Sequence, residues 1–173
     1  MSNLRLINET NVTSSTSTVN VTDVFSADYD IYKITLDNII CSGSSDNFSA
    51  RLINSSGSQI TNNYAYAGQI MYSYAGFGEN KSTSADRWQR LVISGTVLKL
   101  GGLVMYVFNP FSSSSYTFQL NQANSYDGSG MQGYKNIGVN KNTTSCTGIS
   151  FFDNGGLTID NIDIKVFGLR EDS

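Results

Sequence analysis

The sequence predicts an all-β fold, a single-domain antiparallel β-sandwich of jelly-roll type or a related barrel, and three observations carry that prediction. Short runs rich in β-branched and aromatic residues alternate apolar and polar positions with a period of two, the mark of a half-buried strand. Clusters of Gly, Ser, Asn and Asp punctuate these runs at spacings of about 10–15 residues, which gives roughly eight to ten strands. No stretch carries apolar residues at a sustained helical spacing, so no amphipathic helix is expected.

The elements follow in order. Residues 4–8 and 16–25 read as extended, with Leu4, Leu6 and Asn8 alternating with Arg5 and Ile7, and Val19 and Val21 flanking Asn20. A turn at 26–28 leads into a strand over 30–40, with Tyr32, Ile34 and Leu36 on one face and Ile31, Lys33 and Thr35 on the other. After a loop at 41–46, Phe48, Ala50 and Leu52 oppose Ser49, Arg51 and Ile53, and 54–58 turns the chain. The stretch 64–77 is aromatic and rich in small residues, admits a short helical turn within 64–74, and is followed by an expected polar loop at 78–86.

Residues 87–94 and 102–108 read as central strands, and the near-continuous apolar run of the second predicts burial on both faces. Asn109-Pro110 ends that run with the single proline of the chain. In 116–120, Tyr116, Phe118 and Leu120 face one way; 126–134 reads as a Gly-rich loop and Ile137 and Val139 as a short strand. The segment 148–169 reads as a closing β-hairpin around Asp153-Asn154-Gly155-Gly156, residues that tolerate positive φ. Strict alternation cannot turn both Phe151 and Phe152 inward, so one is expected against a second sheet or a neighbouring subunit. The first and last strands are expected to be neighbours.

Composition narrows the function classes. Of 173 residues only 14% are charged, while Ser, Thr and Asn make up about a third, so hydroxyls and amides carry solubility. Ten Tyr and nine Phe argue against disorder. The eleven Lys and Arg are scattered in a chain of net charge −3, which prepares no groove for nucleic acid and no polybasic membrane patch. No apolar run approaches the roughly 20 residues that span a bilayer, so no membrane insertion is expected. The first residues hold no apolar signal region, and synthesis in the cytoplasm without a signal peptide is expected. Seven Asn-x-Ser/Thr triplets, at Asn8, Asn11, Asn20, Asn47, Asn54, Asn80 and Asn142, are what this composition yields by chance.

The chain has no histidine, which removes Ser-His-Asp and Cys-His catalysis and the commonest metal ligand together. Cys41 and Cys146 are far apart and lack metal-ligand spacing; a disulfide between them is open, and two buried free thiols are the stronger reading. No spacing singles out a catalytic pair among Asp28, Asp30, Glu79, Asp86, Asp127, Asp153, Asp160 and Asp163. The expectation is a protein that is not an enzyme and uses no cofactor or metal. Tyr64, Tyr66, Tyr72, Tyr74 and Trp88 are candidate glycan contacts, although packing in a core or at an interface is the stronger physical reading. Asp160-Asn161-Ile162-Asp163, with Asp153 and Asn154, offers oxygen ligands for calcium, yet alternation explains it as the solvent face of a strand. Polar loops at 42–47, 78–86 and 112–115 read as recognition tips or as solvated turns.

The opening Leu4-Arg-Leu-Ile-Asn-Glu9, the Ser/Thr-rich run over 12–25, Tyr29-Asp-Ile-Tyr-Lys-Ile-Thr-Leu36 and the closing Ile162-Asp-Ile-Lys-Val-Phe-Gly-Leu169 resemble small β-sandwich virion proteins of tailed, especially marine, bacteriophages. The resemblance implies a structural protein on the virion surface, a capsid decoration or a tail-fibre, receptor-binding component for host attachment. It carries over no catalytic residue. With it go a homo-oligomer, trimer favoured, contacts to other virion proteins and to a host-surface glycan. Residues 1–11 are expected to attach to the particle ahead of a sandwich domain at 12–173, with Leu4, Leu6, Ile7, Phe151 and Phe152 as interface residues. The alternative is a soluble carbohydrate-binding module.

Overall fold

The structure, a computed structural model, describes residues 3–43, 48–93, 101–126 and 128–169. Eleven strands are found among them and no helix: β1 (Leu4–Val12), β2 (Val19–Val21), β3 (Ile31–Cys41), β4 (Phe48–Asn54), β5 (Tyr64–Tyr72), β6 (Phe77–Ala85), β7 (Gly102–Phe108), β8 (Thr117–Tyr126), β9 (Met131–Asn140), β10 (Cys146–Asp153) and β11 (Ile159–Leu169). They form an eight-stranded sheet in the order β1-β11-β3-β7-β8-β9-β5-β6 and a three-stranded sheet, β2-β10-β4, antiparallel throughout.

β1 and β2 run along β11 and β10, while β3 and β4 flank those same strands on the other side. The pairs β1/β2, β3/β4 and β10/β11 each cross between sheets, which is jelly-roll connectivity. The first and last strands do pair, from Leu4 opposite Leu169 to Val12 opposite Ile162.

The core fills the gap between the sheets. Tyr32, Ile34 and Leu36 of β3, Leu103, Met105 and Val107 of β7, and Ile162, Ile164 and Val166 of β11 meet Val19, Val21, Ala50, Leu52, Ile149 and Phe151. Each such aliphatic or aromatic side chain contributes about 1.5–3 kcal/mol by leaving water. The small sheet covers only part of the large one. Over β8 and β9 the cover is the segment 87–93, whose backbone has few sheet partners and is held by side chains: Asn121 Nδ2 donates to Leu91 O at 3.1 Å and Asn136 Nδ2 to Arg90 O at 3.4 Å. Buried amides on two neighbouring strands thus satisfy an irregular segment that would otherwise leave carbonyls unpaired.

Several expectations are corrected. Residues 148–169 form no hairpin, because β10 and β11 lie in different sheets, each already paired on both sides. The turn itself is real: Asp153 Oδ1 accepts from Gly155 N at 2.7 Å and Gly156 sits at φ 85°. It feeds a connection that crosses the sandwich, since alternation marks a strand without naming its partner. The stretch 64–77, with its possible helical turn, contains β5, and the loop expected at 78–86 is mostly β6. β6 is polar on both faces because it is an edge strand with one paired side, so it shows no apolar period. The strand expected at 87–94 reduces to one bridge, Trp88 to Ala50, broken by positive φ at Arg90; Ser94 lies outside the described residues. The Gly-rich loop expected at 126–134 shrinks to a turn near Gly128, at φ 98°, with β9 beginning at Met131. The part of the 41–46 loop beyond residue 43 and Asp127 also lie outside the described residues. Finally, β7 is not buried on both faces: its burial alternates, and Val104 looks outward.

Candidate functional site

That outward look of β7 leads to the most unusual surface of the molecule, the outer face of the eight-stranded sheet. Register aligns its outward residues into rows that run across the strands. One row is Leu4, Leu169, Ile31, Phe108, Phe118, Val139 and Ala65, with no polar member. The next is Leu6, Phe167, Lys33, Tyr106, Leu120, Ile137, Ala67 and Lys81. Relative exposure reaches 36% at Leu4, 49% at Leu6, 45% at Phe118 and 61% at Ile137, with Val104 at 37% in the row beyond. An outward face of an antiparallel sheet is ordinarily polar, and here two successive rows are not.

The third row changes character. Glu9, Lys165, Thr35, Val104 and Gln122 follow one another across β1, β11, β3, β7 and β8, with Lys165 Nζ 3.4 Å from Glu9 Oε1. Beyond it Asn11, Asp163, Asp37 and Asn124 complete the rim of a cleft of about 750 Å³. Asp163 Oδ2 accepts from Asn38 Nδ2 at 2.5 Å, and Asn124 Oδ1 accepts from Gly102 N at 3.3 Å. The sheet's outer face is therefore apolar along the rows that begin at Leu4 and Leu6, polar and concave from β1 to β8 beyond them, and apolar again at the far corner, where Met71, Phe77, Tyr126 and Met131 are exposed.

The residues singled out from sequence are dispersed. Leu4 and Leu6 lie on the apolar rows, whereas Ile7 sits at a bulge in β1 and packs against the core. Phe151 is fully buried, stacked on Phe48 with ring centroids 6.2 Å apart. Phe152 points to the opposite face of the small sheet, where the Arg51 guanidinium covers its ring at 4.8 Å. Arg51 is itself held by Asp86, through a charged bond and a 3.0 Å bond from its Nε to the Asp86 carbonyl. Phe151 thus lies against the second sheet, one of the two places expected, and Phe152 lies beneath the Arg51 side chain of its own chain.

The five aromatics proposed as glycan contacts form no common platform. Tyr64 and Trp88 are fully buried, edge to face at 5.3 Å, and Leu52 N donates to Tyr64 Oη at 2.8 Å. Burial pushes the Tyr64 phenol far above its ordinary range, and desolvation raises the half-buried Tyr66 as well. Tyr66 Oη bonds Gln89 Oε1 at 3.4 Å, while Tyr72 and Tyr74 pair at 5.6 Å towards the other end of β5.

The acidic residues near the last strand serve local bonds. Asp160 Oδ1 accepts from Ser15 Oγ at 2.7 Å and Thr158 Oγ1 at 2.9 Å. Among the described residues no group of three or more His, Cys, Asp or Glu side chains is placed to hold a metal ion. Cys41 and Cys146 are buried and not joined in a disulfide, as expected, and burial pushes the Cys146 thiol up to about 12.

No known family model matches the chain, and no curated protein matches it either. The outward apolar residues of β7, β8 and β9 were not recognised from sequence as a surface. The signal is present in Leu103-Val-Met-Tyr-Val-Phe108, apolar at both parities, a pattern that reads equally as burial on both sides.

Proposed function

We propose that this chain is a non-enzymatic structural protein that works by surface association, on the outside of a bacteriophage particle as a capsid decoration or a tail-fibre, receptor-binding component. The observation that carries the reading is the pair of apolar rows crossing the outer face of the eight-stranded sheet. Contiguous apolar surface of this kind marks a contact with another macromolecule. The placement on a virion rests on the likeness of the two ends of the chain to virion β-sandwich proteins. A homo-oligomer, a trimer by that likeness, then presents the loops and the polar cleft to the host. Imaging a labelled copy on purified virions tests the role: label on the particle exterior is expected, and its absence from particles overturns the reading. Deleting residues 2–11 is expected to release the protein from particles, and undiminished association removes any role for that segment.

A second reading, a carbohydrate-binding module, is favoured by one feature, the cleft lined by Gln122, Asn124, Asn11, Asp37 and Asp163. Its volume lies within the roughly 300–1,000 Å³ common for ligand sites, and planar amides and carboxylates suit vicinal hydroxyls. Retention on immobilised polysaccharide that Gln122→Ala abolishes supports it; no retention of the wild type rejects it.

A further inference from the structure

We infer that the outer face of the eight-stranded sheet is covered in solution by a second copy of this chain, packed on the rows that contain Leu6, Tyr106, Phe118 and Ile137. The inference deepens the proposed structural role and rests on it.

Area is the first argument. At about 200 Å² for a fully exposed large side chain, Leu4, Leu6, Val104, Phe118 and Ile137 leave roughly 450 Å² in water, and the half-buried members of the rows bring the face to roughly 700 Å². That exceeds the roughly 300–600 Å² of the largest patch on a typical monomer and approaches the ~800 Å² that each partner contributes to a standard interface.

Charge is the second argument, and it selects the occupant. The row containing Leu4 has no charge, and the next row has two lysines, Lys33, lying in register between Phe167 and Tyr106, and Lys81 on the edge strand β6. A face so poor in charge requires no oppositely charged partner. Its own copy, equally apolar, fits without opposing rows of like charge. Lys33 can lay its aliphatic stem along the flanking rings and keep its ammonium at the margin. Pairing of this face with the same face of a second copy closes as a two-fold dimer, in place of the trimer that the likeness suggests. The charged row of Glu9, Lys165, Lys135 and Glu79 forms a polar border on one side of the contact, as in interfaces with a dry centre and a wet rim.

Sedimentation equilibrium of the full chain at tens of micromolar, beside Phe118→Asp and Ile137→Asp, tests the inference. The wild type is expected to give the mass of a dimer. Each substitution is expected to weaken association roughly 100-fold or more, because it buries an unpaired carboxylate at the contact. Circular dichroism should remain that of the folded chain, since both side chains point outward. Should an aspartate variant unfold, Ile137→Ser is the milder replacement and must still lower the association constant. A monomeric wild type overturns the inference, and so does an oligomer that folded variants leave intact. A monomer found on virions refutes the self-contact and leaves the structural role standing, whereas an oligomer absent from virions does the reverse.

Discussion

Gly138→Ala is predicted to destabilise the fold chiefly through Trp88. Gly138 is an inward position of β9, and a Cβ built there lies 2.6 Å from Trp88 Nε1, 2.7 Å from its Cδ1 and 2.9 Å from Gln119 Nε2. The indole has little room to yield. It is fully buried, set edge-on to Tyr64, and fixed at its backbone by two bonds with Ala50, of 2.9 and 3.0 Å. Overpacking of a filled core costs about 1–3 kcal/mol, while replacing a strand glycine by alanine returns roughly 0.5–1 kcal/mol. Overpacking therefore wins, and a net loss of about 1–2 kcal/mol corresponds to a fall in Tm of roughly 2–8 °C for a chain of this size. Urea denaturation of the four members of a cycle with Trp88→Leu measures it. In the Trp88→Leu background the alanine should be neutral or stabilising, because the ring it strikes is gone. An equal cost in both backgrounds, or no cost in the wild type, refutes the reasoning.

Three further outcomes follow from the same geometry. Phe152→Ser should lower stability by about 2–4 kcal/mol in thermal or chemical denaturation and leave the association constant unchanged, because Arg51 of the same chain covers this ring. Asn121→Ala should cost about 1–3 kcal/mol by stranding the Leu91 carbonyl, and Asn121→Asp should not restore it, since the carboxylate cannot donate. The Cys146 thiol titrates near 9.0 when unfolded and at about 12 when folded, so above pH 9 the unfolded chain releases a proton that the folded chain retains. Stability from this group is present in full below pH 9 and is lost as pH rises towards 12. The raised Tyr64 phenol adds a loss of the same sign above pH 10. Denaturation midpoints measured from pH 8 to 11 should fall, and in Cys146→Ala the decline between pH 9 and 10 should be shallower.

The fold was legible where one sheet face is dry and the other wet. The alternation over Ile31–Cys41 placed Tyr32, Ile34 and Leu36 inward, where they are found. It failed where that asymmetry is missing. In β6 neither face is apolar, and in β7 both are, so the first reads as a loop and the second as a doubly covered strand. Partners were less legible still: Asp153-Asn154-Gly155-Gly156 signals a turn, but the sheet its exit joins depends on β1 and β3, more than a hundred residues away in sequence. The outward face escaped for a related reason. Its rows assemble one residue from each of seven or eight strands, and such a surface exists only once register is fixed. Among the aromatics, composition draws attention to Tyr64 and Trp88, whose place is the core.

The claim that this face contacts another copy can be read from a single thiol. Both native cysteines are buried, so Ile137→Cys introduces one reactive site in the middle of the apolar rows. Its rate of alkylation, measured on folded protein across a range of concentrations, should fall as concentration rises and recover on dilution. A rate that is fast and independent of concentration would contradict the account.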